Sequence, residues 1–386
     1  MRIRKWAQSL WMLPLAASMV VATPAMLSAA PTPGNSFDQH NLVSDLPGMA
    51  SYLDPDLVNP WGIALSGTSP FWVADNGTGL ATLYNGFGVK QGLVVTIPPP
   101  ASQTGPAAPD GQVFNPNSAN FGGAHFIFST EDGTISAWNG GTNAALKVDD
   151  STQNAVFKGL ALAANGSNTY LYATDFHNNA VDVFDTNFNK VTLGGSFTDP
   201  SLPAGYAPFG IQASGGLLYV TYALQDAQKH DDVAGPGHGF IDVFDTNGNL
   251  IQRLVSMGAL NSPWGLAWAP TGFGKFGGDL LVGNFGDGTI NVFNPTNGTW
   301  LAQLDDPNGN PIVNQGLWGI TFGNGGNGGY TNTLYFGAGI PGPDMVEDHG
   351  LFGSISSVPE PGTLSLLGTG LMGLIGYGWR KAKRTV

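Results

Sequence analysis

The chain contains no cysteine. No disulfide or thiolate metal site is therefore open to it, and its stability has to come from a sizeable buried core. Charge is also scarce. There are 14 Lys and Arg against 27 Asp and Glu, and seven of the basic residues stand at the two ends (Arg2, Arg4, Lys5, Arg380, Lys381, Lys383 and Arg384). The body between those ends keeps 7 basic against 26 acidic residues, a formal charge of −19. Such a surface repels nucleic acid and anionic lipid, which excludes a nucleic-acid partner. Three local catalytic signatures are missing as well: the G-x-S-x-G elbow, the Walker loop and H-E-x-x-H.

What the chain has in abundance is glycine, 57 residues of it, spaced with a rhythm. From Pro263 to Asn294, Pro263-Trp264-Gly265 runs into an apolar segment, a second apolar segment follows at 280–283, and Asn284-Phe285-Gly286-Asp287-Gly288 turns the chain into a third. Short apolar runs bounded by Gly, Asn, Asp and Pro read as strands, and Asp-Gly between two of them favours a tight hairpin. The same cassette recurs from Trp61-Gly62, Lys158-Gly159, Phe209-Gly210 and Trp318-Gly319. With Gly62, Gly159, Gly210, Gly265 and Gly319 as a ruler the gaps are 97, 51, 55 and 54 residues, so the first holds two periods. Its weaker unit is visible at Phe126 to Asn139, and its opening strand is expected within Gln112 to Phe121.

Six units of about fifty residues with several short strands each predict an all-β, six-bladed β-propeller of four-stranded blades. A β-sandwich needs no repeat, and β-helix coils are much shorter. The segment from Phe37 to Val43 reads as a lone strand, and the last unit ends at Ile355 one strand short. The two shortages predict that the N-terminal strand is the outermost strand of the last blade and closes the ring. The glycine after the aromatic is expected to let neighbouring innermost strands approach closely, and the aromatic series Trp61, Phe209, Trp264 and Trp318 to pack between blades.

The ends read differently. Residues 1–30 have the basic start, apolar stretch and small-residue finish of a secretory signal. At the other end, Val358-Pro359-Glu360-Pro361-Gly362 precedes seventeen uncharged residues, 363–379, and the basic run Arg380 to Arg384. This reads as a C-terminal transmembrane helix with a cytoplasmic basic tail. The chain thus divides into a signal peptide (1–30), a propeller (31–357) and a tail (358–386). The tail closely resembles the PEP-CTERM sorting signal of Gram-negative bacteria, with Pro359, Glu360 and Pro361 as the motif. The resemblance implies an exosortase-like membrane protease as partner, transient residence in the inner membrane, cleavage near the motif, and release to the cell surface or the extracellular matrix. The body resembles a family of exported six-bladed propellers and, more distantly, NHL and lactonase-like propellers.

In a propeller the loops entering the first strand of each blade, and those joining the second to the third, open on one face. Asp75, Glu131, Asp175 and Asn284 fall at the second kind of loop and are the expected oxygen ligands of a metal, for which Ca²⁺ would suit. Asn59, Asp75, His177, Tyr222 and Asn284 are the expected binding residues of that face. Asp and Asn at strand ends also stabilise turns through their own side chains, and that reading stands beside the metal. His230 and His238 share a blade-four insertion with Asp231 and Asp232, a second set of metal-ligand types. The expectation is a surface or matrix binding module rather than an enzyme, with extracellular polysaccharide or a surface protein as partner. The alternative is a Ca²⁺-dependent lactonase or esterase acting through the carboxylates at the channel mouth, as the lactonase-like resemblance implies.

Overall fold

Each Pro-x-Gly or x-Gly frame of the ruler opens an innermost strand, because the following β-branched and apolar residues alternate between two flanking blades. Chain contacts separate a unit of residues Pro33–Glu360 from one of Met1–Thr32 with Pro361–Val386. The structure, a computed structural model, describes residues 36–343 and 347–358. It holds six antiparallel sheets arranged as blades. Their innermost strands are Pro60–Ala64, Pro109–Phe114, Phe157–Asn165, Tyr206–Ser214, Pro263–Trp268 and Leu317–Phe322. Blades 1 to 5 have four strands each, in sequence order from the channel outward.

Blade 6 is completed from the other end of the chain. Phe37–Ser44 pairs antiparallel with Leu351–Ser357, in a register running from Phe37 opposite Ser357 to Ser44 opposite Leu351. The ring is closed as its two incomplete ends require. A fifth element, Tyr52–Leu53, adds a two-residue parallel pairing outside Phe37–Ser44, an edge with no counterpart in the repeat.

Blade 2 corrects the expected placement of its first strand, which is Pro109–Phe114 rather than within Gln112 to Phe121. Its frame is Pro109-Asp110-Gly111, with an acid where the ruler has an aromatic. The complete ruler, Gly62, Gly111, Gly159, Gly210, Gly265 and Gly319, is spaced by 49, 48, 51, 55 and 54 residues.

Packing follows from this geometry. Six hydrophobic layers fill the six blade-to-blade interfaces. A seventh cluster gathers Trp61, Phe176, Phe209 and Trp318 at the channel end where the innermost strands begin. The expected close approach is seen in the glycine ring. A Cβ on Gly265 would stand 2.5 Å from the Trp318 carbonyl oxygen of the next blade, and one on Gly319 would collide with the Trp61 carbonyl across the ring closure. Third-strand polar residues are buried between blades and paired outward: Asp182 with Lys190 at 2.6 Å, and Asn291 with the Trp300 indole at 3.0 Å.

The expected transmembrane helix finds no support in the structure: among the described residues no helix is long and apolar enough to cross a membrane, and residues 363–379, on which that expectation rested, lie outside the described residues. Residues 1–30 and the motif Pro359, Glu360 and Pro361 also lie outside them.

Candidate functional site

The residue just before each ruler glycine lies near the start of an innermost strand, at the channel mouth. In blades 1, 4, 5 and 6 it is aromatic; in blades 2 and 3 it is Asp110 and Lys158. The aromatics do more than pack between blades. Trp61 stacks on Trp318 with centroids 3.4 Å apart, Trp264 meets both edge-on, and Phe209 lies 5.8 Å from Trp318. Together with Phe176 and Phe285 they plug the channel.

Lys158 lies on this plug, only 1% exposed. Its ammonium sits 5.0 Å from the Trp61 ring centroid and 6.0 Å from that of Phe176, where the ring faces attract a cation. It forms ion pairs with Glu131 and, at 3.4 Å, with Asp231. Burial alone would lower its pKa, but the carboxylates of Glu131, Asp231 and Asp110 outweigh it and raise it, so Lys158 is a fixed cation. Asp110 is fully buried; it accepts from Ser129 and from the Gly111 amide while its Oδ2 has no partner. Burial pushes its pKa well up.

Around this ammonium runs a polar arc drawn from five blades. The Trp318 indole donates to Asn59 Oδ1 at 3.2 Å. Asn59 donates to Glu347 at 3.0 Å and to Asn76 at 3.3 Å, and Asn76 donates to Glu131 Oε2 at 2.7 Å. Beyond Lys158 the arc ends in Asp231 and His230, whose Nδ1 is 3.0 Å from Asp231 Oδ1. That hydrogen bond raises the His230 pKa. With Lys158 it also holds Asp231 down at about 2. Burial lifts Glu347 to about 7, with the Glu131 charge adding to it.

Donor atoms of Glu131, His230 and Asp231 all lie within 4.8 Å of one another, the one such group of three found among the described residues. Glu131 is half-buried and the other two are exposed. One imidazole nitrogen and two carboxylates suit a divalent ion that tolerates mixed nitrogen and oxygen ligands, more than the all-oxygen shell usual for Ca²⁺. The Lys158 ammonium competes for the same carboxylates.

The four expected metal ligands are not brought together. Asp75 is fully buried, accepts from the Thr82 amide of its own blade at 3.1 Å, and is raised by burial. Asp175 accepts from the amides of Val156 and Asn178 at 3.2 and 3.1 Å, capping its own turn. Asn284 bonds the Ala259 carbonyl and the Asn261 amide at 2.9 and 3.2 Å. Only Glu131 faces donors from another blade. Of the expected binding residues, Asn59 is a member of the arc. The backbone carbonyl of His177 accepts from Gln225 at 3.5 Å. Tyr222 is buried beside a cavity of about 130 Å³ between blades 3 and 4. Lys158, Asp110, Asn76 and Glu347 were missed. For the first two the signal was there: a charged residue at a ruler position whose counterparts are aromatic.

Residues 357–384 match the PEP-CTERM protein-sorting motif, which implies an exosortase-type partner during sorting and supports export. The fold is shared with a glucose dehydrogenase structure at TM-score 0.51 and 13% identity, covering 84% of this chain and 99% of that one. A catalytically inactive virginiamycin B lyase from Staphylococcus aureus aligns at TM-score 0.49 and 15% identity, over 84% of this chain and 100% of that one. These likenesses show the fold alone; with a three-donor group standing at the mouth, the expectation of a non-enzyme is not kept. Among curated proteins, Uncharacterized protein R648 of Acanthamoeba polyphaga mimivirus is 34% identical over 297 residues, 72% of each chain. Uncharacterized protein L690 of the same virus is 34% identical over 294 residues, 72% of this chain and 77% of its own. With that identity over most of both sequences, the protein belongs to the family of these two mimivirus proteins.

Proposed function

We propose that the protein is an exported hydrolase acting on esters or lactones, with a divalent cation held at the channel mouth by Glu131, His230 and Asp231. The observation that supports it is the convergence of those three donors, from blades 2 and 4, over a buried ammonium. A cation bound there would polarise a substrate carbonyl and lower the pKa of a bound water. The chain's own groups have separate parts. Lys158 offsets the negative charge of the two carboxylates and, tied to both, holds them in place. Glu347, lifted to about 7 by burial, can carry a proton near neutral pH, and Asn59 and Asn76 fix its place relative to Glu131. The aromatic plug excludes water from below. The sorting motif fits a role outside the inner membrane, where ester-bearing polysaccharide or surface protein would be accessible to the mouth.

The reading is tested with the mature secreted protein on p-nitrophenyl acetate and a γ-lactone, with Mn²⁺ or Ca²⁺ and with EDTA. Expected is turnover that EDTA abolishes and that falls at least 100-fold in Glu131→Gln and His230→Ala. Turnover indifferent to EDTA, or none with either ion, overturns it.

A further inference from the structure

The opposite end of the channel is built quite differently. There the carboxyl-terminal ends of the six innermost strands surround a cavity of about 570 Å³. The third residue after each ruler glycine lines it: Leu65, Phe114, Leu162, Ala213, Trp268 and Phe322, all half-buried. The three aromatic rings of this wall are each held from behind by another ring. Phe126 stands 5.4 Å from Phe114, Tyr219 4.8 Å from Trp268, and Phe273 5.0 Å from Phe322. Among the described residues, no charged side chain lines the cavity.

The second residue after each ruler glycine lines it too, and there the repeat breaks. It is alanine in blades 1, 3 and 5 and valine in blade 2, but Gln212 in blade 4 and Thr321 in blade 6. Gln212 is exposed and Thr321 half-buried. With Trp268 on the blade between them, they form a polar arc over three consecutive blades. The Gln212 amide, the Thr321 hydroxyl and the Trp268 indole N–H have no hydrogen-bond partner among the described residues. None of the three is sealed from solvent. The fold makes no use of these groups, and a molecule in the cavity can reach them.

The lining selects the chemistry of that molecule. A charged ligand would meet no counter-charge to offset its desolvation. A wholly apolar one would cover the three polar groups and leave them unpaired, which is costly. A neutral sugar avoids both penalties. Its hydroxyls donate and accept, matching an amide, a hydroxyl and an indole N–H, and its C–H faces pack on aromatic rings. We propose that this end of the channel binds a neutral saccharide of about one or two units. Gln212, Trp268 and Thr321 hold its hydroxyls, and the aromatic wall takes its C–H faces. The proposal is independent of the cation reading at the mouth.

The probes are cellobiose, maltose, lactose and mannobiose, each titrated calorimetrically into the full mature protein. At least one is expected to bind at a single site per chain. Gln212→Ala and Thr321→Ala install the alanine that blades 1, 3 and 5 carry at that place, so both should fold with an unchanged melting temperature. Each should weaken binding of that disaccharide about fivefold, the worth of one net hydrogen bond. The double variant should weaken it about twentyfold. Oxidising the sugar's non-reducing hydroxymethyl group to a carboxylate should cost about tenfold or more, and His230→Ala at the mouth should leave binding unchanged. Four results would overturn the proposal: no binding of any of the four at about 10 mM, binding untouched in the double variant, equal affinity for the carboxylate form, or loss of binding in His230→Ala.

Discussion

Replacing Gly265 by alanine tests the glycine ring that sets how closely the blades meet. The new Cβ would stand 2.5 Å from the Trp318 carbonyl oxygen, 3.0 Å from Ile320 Cγ1 and 3.2 Å from the Ile320 amide nitrogen. Two of these three atoms are backbone, so no flexible side chain can swing away and the blades must separate. Overpacking of this kind costs about 1–3 kcal/mol, and the rigid ring argues for the upper end. Alanine returns about 0.4–1 kcal/mol by restricting the unfolded chain, leaving a net loss of about 2 kcal/mol. A body of about 320 described residues, at ~2.1 cal/mol/K per residue, has an unfolding entropy of ~0.7 kcal/mol/K. The melting temperature should therefore fall by about 3 °C. Gly92, on the outer strand of blade 1, is the control: a Cβ there meets nothing within 4 Å, so Gly92→Ala should raise the melting temperature by about 1 °C. Scanning calorimetry of both variants decides it. Equal shifts, or an unchanged Gly265→Ala, would refute the argument that backbone contact at the ring requires glycine.

Deleting residues 31–44 removes the partner of Leu351–Ser357 and leaves an exposed edge; the melting temperature should fall by several degrees or more, and light scattering should show association. Replacing Lys158 by methionine leaves the Glu131 and Asp231 carboxylates without their cation; because Glu131 is half-buried and Asp231 exposed, the cost should fall below the roughly 3–5 kcal/mol of a broken buried pair, and millimolar Mn²⁺ should recover part of the lost melting temperature. Stability should fall as pH rises from about 4 to 7 at constant salt. Asp232 at about 6 and Asp242 at about 7 have folded pKa values raised by burial. They contribute stability that is complete below their unfolded values and lost as pH rises through the folded ones. Asp242→Asn should flatten that slope in denaturant titrations at several pH values.

The sequence reveals the ring more readily than the site. A glycine after Trp61, Phe209, Trp264 and Trp318 is a signal repeated in four of the six blades, because each blade solves the same packing problem. Blade 2 escaped correct placement because Asp110 occupies the aromatic's position and is held by Ser129 and Gly111 instead of by ring contacts. Glu131 was legible as a mouth residue by its loop position, and so were Asp75, Asp175 and Asn284. Nothing local distinguishes a carboxylate that turns back on its own hairpin, as Asp175 does, from one that faces a neighbour. That choice depends on Lys158, which draws Glu131 across the blade interface. His230 and Asp231 were visible as metal-ligand types on an insertion, but their meeting with Glu131, about one hundred positions earlier, is a property of the closed ring alone.

The most direct test of the mouth as a cation site is an anomalous difference map from crystals of the mature protein soaked in MnCl₂ near pH 8. The account predicts one peak at the channel mouth, within about 2.0–2.6 Å of donor atoms of Glu131, His230 and Asp231, that is lost in Glu131→Gln. A map with no peak there, with Lys158 still paired to both carboxylates, would contradict it.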